Sequence, residues 1–289
     1  MALLRRFSLG GQPDPVVIEP LTPEEAGRLR LSLFSRFSPT DILDKVEEHP
    51  DLAWRVRGQD AYALGSLWRH RDEIGEVVEV TRGSHRAELL RSLLRSFEEK
   101  GIELVVLDYQ EASNDTAFYT ENGFWPIERI IEYERTPGSS QLPEPGAPIR
   151  RAHTHDLETI LEIERDSFPW LWWNSPVELA IYQRQPGVEL YLSFDGDRAI
   201  GYAGVTVRGT NGHLDRLAVR QACQGKGHGS ALTSSVLRRL EDIGVRRVAL
   251  STQQNNHRSQ ALYERHGFRR TRWTYDIRGF WLREPREYQ

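Results

Sequence analysis

Two stretches of this chain are versions of one another, and that limits the fold more than any other feature. Leu89–Leu107 (LLRSLLRSFEEKGIELVVL) lines up with Leu232–Leu250 (LTSSVLRRLEDIGVRRVAL) at an offset of 143 residues, with Gly101 and Gly244 in register. Ala117–Phe124 (AFYTENGF) matches Ala261–Phe268 (ALYERHGF) at an offset of 144. Between the copies lies Thr136–Pro148 (TPGSSQLPEPGAP), whose four prolines and two glycines offer almost nothing to bury, the composition of an extended linker. The chain is therefore expected to comprise a tail at 1–15, a first domain at 16–136, a linker at 137–147 and a related second domain at 148–289. A length of 289 residues accommodates two such domains.

Each half reads as mixed α and β. Thr22-Pro23-Glu24-Glu25 and Ser175-Pro176-Val177-Glu178 place a hydroxyl at the N-cap, proline in the first turn and glutamate three residues after the cap, which starts a helix. Glu189–Phe194, Ala199–Val207, His213–Val219 and Arg247–Leu250 are short, β-branched or aromatic and partly alternating, so they read as strands. Leu232, Val236, Leu240 and Ile243 recur at helical spacing, predicting a helix over Gly229–Ile243. A terminal strand pair is expected from Phe268 to Leu282.

The strongest local signal is the segment His213–Leu232 (HLDRLAVRQACQGKGHGSAL). A strand ends at Val219, a loop carries Gly225, Gly227 and Gly229, and a helix follows at once. Glycines let a backbone approach a ligand closely, and the free N–H groups of a helix N-terminus favour an anion, so the loop suits a pyrophosphate. A Walker loop is ruled out because Lys226 is followed by Gly227. A dinucleotide fingerprint begun at Gly225 would need glycine where Ser230 stands, and no acidic residue ends the next strand at Leu250-Ser251. A glycine-rich turn that merely starts a helix is the remaining alternative.

Here the residues resemble a family. Gln224–Gly229 (QGKGHG) fits the [Q/R]-x-x-G-x-[G/A] motif of the GNAT superfamily of acyl-CoA-dependent N-acyltransferases. Asn256–Phe268 (NHRSQALYERHGF) is similar to its second signature, N-x-x-A-x-x-L-Y-x-x-x-G-F, with Ser259 in place of alanine. The resemblance implies two GNAT-like α/β domains, each a twisted, mostly antiparallel mixed sheet with a splayed central strand pair flanked by helices. It implies acetyl-CoA as co-substrate, held by Leu217, Ala218, Val219, Gln224, Gly225, Lys226, Gly227, His228, Gly229, Ser230 and Asn256. A main-chain amide near Ala218 would polarise the thioester, and Tyr263 would protonate the departing thiolate.

Strand alternation puts His213, Asp215, Leu217 and Val219 on one face, so His213 and Asp215 are expected to face the acceptor and take the amine proton, a role that suits histidine. A surface His–Asp pair is the alternative. Trp170, Trp172 and Trp173 are candidate acceptor contacts; packing against the first domain or a homodimer contact would use them equally well. Ile163–Trp170 is similar to acetylases of protein N-termini, so the acceptor is expected to be a small-molecule amine or a peptide N-terminus. In the first half, Asn114, Tyr119, Gly123 and Phe124 persist, but the loop Thr81–Glu88 has a single glycine, and Arg82 and Arg86 read as solvated arginines at a helix start. That half is expected to be a degenerate copy without a phosphate cradle.

Composition narrows the rest. Lys+Arg 38 against Asp+Glu 42 gives a net charge of −4, with no global field to draw nucleic acid or a membrane surface. The single cysteine, Cys223, allows no internal disulfide and suits a reducing cytoplasm. The nine histidines show no metal-ligand spacing, so no metal is expected. The reading is an N-acetyltransferase acting by direct attack in a ternary complex. Its rivals are a non-catalytic acyl-CoA sensor and a transferase using a longer acyl-CoA.

Overall fold

A computed structural model describes residues 16–31, 35–138, 141–144 and 146–285; the expected tail at 1–15 lies outside them. The chain runs β1 (Ile18–Pro20), α1 (Pro23–Ala26), α2 (Pro39–Glu48), β2 (Ala53–Val56), β3 (Tyr62–Leu67), β4 (Ile74–Val80), α3 (Arg86–Glu99), β5 (Leu104–Leu107), α4 (Tyr109–Asn114), α5 (Thr116–Glu121) and β6 (Trp125–Arg135). It continues through β7 (Ile149–Arg151), α6 (Leu157–Ser167), α7 (Pro176–Arg184), β8 (Val188–Asp195), β9 (Arg198–Arg208), β10 (Asn211–Val219), α8 (His228–Asp242), β11 (Arg247–Gln253), α9 (His257–Arg265) and β12 (Arg269–Trp281). One element order, strand, two helices, three strands, helix, strand, helix, strand, thus occurs twice, with one extra short helix in the first round. Both rounds turn at equivalent glycines with left-handed backbone, Gly101 (φ +81°) with Gly244 (φ +80°) and Gly123 (φ +87°) with Gly267 (φ +80°).

Packing divides the chain in another way. One compact unit holds the described residues up to Ser66 with Val77–Lys100; the other holds Leu67–Glu76 with the described residues from Gly101 onward, so both sides of the Pro-rich stretch fall in the second unit. In the first unit β1, β2, β3 and β4 are neighbours in that order, with antiparallel β1–β2 and β2–β3 pairs. Its core gathers Leu21, Ala26, Ile42, Val46, Ala53, Tyr62, Leu64 and Val78. The helix start at Thr22 is as the sequence reads, and Ser38 makes the same start for α2: each hydroxyl accepts from the N3 amide, and the N3 carboxylate accepts from the N-cap amide. Arg86 departs from expectation, for it is buried rather than solvated.

In the second unit the strands lie in the order β5-β12-β6-β11-β10-β9-β8-β7, antiparallel except for the parallel β10–β11 pair. The last strand of each round pairs with the penultimate strand of the other: β12 with β5, and β6 with β11. The expected terminal strand pair is therefore a single strand, Arg269–Trp281, because β5 and β6 already supply both of its neighbours. One face of the sheet packs α8 through Leu232, Val236, Leu237 and Leu240 against Val205, Leu214, Val248 and Leu250. Ile243, at the C-cap, ends up exposed beyond that stripe. The other face packs α6 and α7 through Ile160, Ile163 and Leu179 against Leu190, Leu192 and Tyr202.

Candidate active site

β10 pairs with β11 only from Asn211–Leu214 to Arg247–Leu250, and then runs on to Val219 with β9 alone. The two strands splay, leaving one backbone edge of β10 open. Arg220 N–H donates to Ile200 at 2.8 Å, so antiparallel alternation turns the peptide groups of Ala218 toward β9 and those of Leu217 and Val219 toward the opening. Gln224 Nε2 closes the Val219 carbonyl at 2.8 Å, and the Val219 amide stays available. The amide facing the gap is thus a neighbour of Ala218 and not Ala218 itself. Leu217, Ser251, Asn256 and Tyr263 line a cavity of about 810 Å³ there.

His213 and Asp215 line the same cavity. His213 Nδ1 lies 2.8 Å from Asp215 Oδ1, while Tyr182 and Thr206 donate to Asp215 Oδ2 at 2.6 and 2.7 Å. With Nδ1 engaged by a carboxylate, the imidazole presents Nε2 as its free nitrogen. Burial, and then Asp215 itself, raise the Tyr182 phenol well above its ordinary range, so it stays a donor. A bulge between Leu214 and Arg216 makes this arrangement and breaks the alternation expected from the sequence. Asp215 turns to Tyr182 of α7, whereas Leu217 and Val219 pack with the α8 cluster on the opposite face. Gly204 completes the site, since a Cβ there would lie 2.7 Å from the Tyr182 hydroxyl.

Tyr263 sits on α9 at the far side of the splay, packed near Tyr133 and Phe268, and burial pushes its phenol up to about 12. It stays protonated near neutral pH, able to give a proton. Asn256 caps α9, its side chain accepting from Ser259 N–H at 3.1 Å.

The glycine loop leads into α8 with Gly225 at φ +81° and Gly227, the N-cap, at φ +93°. No side chain caps α8, so its first amides are unclaimed by a cap and point out of the helix end. Arg258 donates to Gln224 Oε1, and Ser193 Oγ lies 3.3 Å from His228 Nδ1. The Ser230 hydroxyl lies 3.2 Å from His266 Nε2, and Lys226 belongs to the same loop. Among the described residues no group of three His, Cys, Asp or Glu side chains is placed to hold a metal, and no helix is long and apolar enough to cross a membrane.

Sequence reasoning missed another part of the cavity wall, which Arg69, Asn174 and Arg216 line. Glu164, fully buried on α6, receives Arg216 at 2.6 Å, the Asn174 amide at 2.8 Å and the Tyr202 hydroxyl. A glutamate on the apolar stripe of α6, beside Ile160 and Ile163, is the signal that could have exposed this network. Asn174 Oδ1 in turn accepts from Arg69 at 2.5 Å. Arg69 and His70 are the only non-glycine residues with positive φ among the described residues, +55° and +51°, a strain of roughly 1–3 kcal/mol each. Surrounding contacts hold them: His70 Nδ1 lies 2.8 Å from Glu178, Trp68 Nε1 donates to the Leu171 carbonyl at 3.2 Å, and Arg71 donates to the Trp170 carbonyl. Of the three candidate tryptophans only Trp172 lines the cavity. Trp170 stacks on Trp281 at 6.3 Å and Trp173 donates to the Phe168 carbonyl at 2.8 Å, so both serve packing.

Comparison with known proteins agrees with this geometry. The sequence model of the acetyltransferase (GNAT) family matches residues 157–268. The chain is 29% identical over 214 residues to a mycothiol acetyltransferase of Segniliparus rotundus, a match spanning 66% of this chain and 80% of that one. It is 30% identical over 122 residues to an uncharacterized N-acetyltransferase of Methanocaldococcus jannaschii, spanning 42% and 77% respectively. The crystal structure of a GCN5-related N-acetyltransferase from Sphaerobacter thermophilus shares the fold, with a TM-score of 0.58 at 19% identity over 96% of this chain and 98% of that chain. With the splayed strands and both sequence signatures in place, the chain belongs to the GNAT acetyltransferase family.

Proposed function

We propose that the second sequence half transfers an acetyl group from acetyl-CoA to a primary amine by direct attack within a ternary complex. The observation that carries this reading is the meeting of the His213–Asp215 pair and Tyr263 in one cavity where β10 leaves β11. The pyrophosphate of acetyl-CoA would rest on the amides of Gln224–Gly229 at the start of α8, where glycine backbone and helix dipole favour an anion. Its pantetheine arm would lie along the open edge at Leu217 and Val219, whose amides face the gap and can polarise the thioester carbonyl. His213 Nε2, set by Asp215, takes the proton of the attacking ammonium. The amine nitrogen bonds to the carbonyl carbon, the carbon–sulfur bond breaks, and Tyr263 gives its proton to the leaving thiolate.

The first half is best understood as a copy that has lost its nucleotide loop. It repeats the element order, but α3 begins at a buried Arg86 after a loop with the single Gly83. Free Cys223 suits a reaction carried out in the cytoplasm. The test is isothermal titration of acetyl-CoA into the intact protein, followed by a thiol-release screen over arylalkylamines, polyamines, aminoglycosides, N-terminal peptides and, given the Segniliparus relative, a mycothiol-related acceptor. One binding site with turnover on some amine supports the reading. Two sites would overturn the account of the first half, and binding without turnover would overturn acetyl transfer.

A further inference from the structure

The charges that line the cavity are unequally matched. Asp215 is engaged by His213, Glu178 by His70, and Glu132 lies 3.5 Å from Arg247, which also meets Glu134 at 2.8 Å. Arg216 is closed by Glu164. Among the described residues, two lining guanidiniums have no carboxylate within 4 Å, Arg69 and Arg208. Arg208 stands exposed at the end of β9, where water answers its charge.

Arg69 is in another position. It is half-buried, and its Nε reaches neither solvent nor an acceptor. Its one hydrogen bond goes to the neutral amide oxygen of Asn174. Trp68 and Trp172 place their rings 5.4 and 5.6 Å from the guanidinium carbon, which favours a cation but supplies no countercharge. Burial, reinforced by Arg216 nearby and only partly offset by the more distant Glu164 and Glu178, pushes the group down to about 10, still cationic at neutral pH. A rigid fork of five donors with one partner is half of an oxyanion site. Two successive left-handed residues are spent on bringing it to this wall, on the α7 side and away from the glycine loop.

We infer that Arg69 binds an oxyanion, carboxylate or phosphate, carried by the acceptor, so that the preferred acceptors are amines bearing a negative charge. The inference rests on the acetyltransfer reading for the word acceptor, but its test does not depend on chemistry. Binding of β-alanine, γ-aminobutyrate and O-phosphoethanolamine to the full chain saturated with CoA is compared, by titration calorimetry, with binding of β-alaninamide, 4-aminobutanamide and ethanolamine. At least one anion is expected to bind about tenfold or more tightly than its neutral counterpart, and the carboxylate and phosphate arms tell the two sources apart. Arg69→Met is expected to bring that ratio to about one while leaving acetyl-CoA affinity unchanged. Arg69→Gln, which keeps a donor for Asn174, serves as a second variant should the first not fold.

Equal binding of charged and neutral probes, a preference that survives both substitutions, or an equal loss of acetyl-CoA affinity would each overturn the inference. Absence of turnover on every amine, with the anion preference intact, would instead overturn acetyl transfer and leave an anion site.

Discussion

Tyr182 donates to Asp215 Oδ2 at 2.6 Å while His213 Nδ1 lies 2.8 Å from Oδ1, so a single carboxylate ties α7 to the imidazole on β10. The tie exists because residue 204 lacks a side chain. Gly204→Ala should push the Tyr182 hydroxyl off Asp215, and Tyr182→Phe should delete it; a hydrogen bond to a charged group is worth about 1.5–3 kcal/mol. Both variants should lose roughly ten- to a hundredfold in kcat/KM in a thiol-release assay. Wild-type rates in both would mean that Asp215 orients His213 unaided.

His213→Ala removes the proposed base. Turnover near neutral pH should fall by roughly 10²–10⁴-fold. Because a free amine needs no base, the loss should shrink as the pH is raised toward the pKa of the acceptor amine. A pH–rate profile of the variant checks this, and a loss that is flat with pH would assign His213 to positioning.

Tyr263→Phe deletes the proposed acid with little change in volume. With the phenol at about 12, the wild-type group is neutral throughout the working range, so the wild-type profile should show no fall from its ionisation below pH 10. The variant should lose roughly 10²-fold or more in kcat with acetyl-CoA binding preserved. Full turnover would remove Tyr263 from the proton pathway.

Gly227 offers a controlled pair. Nothing lies within 4 Å of a Cβ built there, so Gly227→Ala introduces only the strain of φ +93°, roughly 1–2 kcal/mol. Gly227→Glu adds a negative charge where the pyrophosphate should rest. Titration should find acetyl-CoA affinity lowered tenfold or more in the glutamate variant beyond any loss in the alanine variant.

His266 links the same loop to stability. It is fully buried, with Nδ1 at 2.8 Å from the Leu262 carbonyl and Nε2 at 3.2 Å from the Ser230 and Ser234 hydroxyls, and burial lowers its pKa below 6.5. The unfolded chain therefore binds a proton before the folded one does. Stability should fall as the pH drops below about 6.5, by at most ~1.4 kcal/mol per pH unit from this residue. Urea melts at pH 7.5 and 5.5 should show a smaller difference for His266→Gln than for the wild type.

The second half was legible where periodicity and punctuation agree. The strands from β8 to β11, the start of α7 at Ser175 and the body of α8 all carry period-two or period-3.6 patterns bounded by caps or glycines. The bulge at Asp215 was not legible, since one extra residue leaves the apolar pattern of β10 intact while reversing the face of everything after it. Nor was Arg69 on the cavity wall, because a turn 144 residues from Asp215's partner His213 leaves no local signature of where it packs. The single strand β12 was mistaken for a pair since its neighbours are remote in sequence, and strand patterns do not name partners. Glu164 drew no reading of its own, because a charged residue is rarely buried, yet it is fully buried here.

The interleaving of β5, β12, β6 and β11 bears on how the protein is made. Synthesis runs from the N-terminus, so β5 and β6 leave the ribosome long before β12, which must enter between them. Until Arg269–Trp281 emerges, β5 and β6 each keep an unpaired edge, the kind of edge that adheres to other chains. The strand Arg269–Trp281 is thus a latch that closes only after both of the strands it joins have been made, and nascent chains stalled before it carry exposed edges that invite chaperones or aggregation.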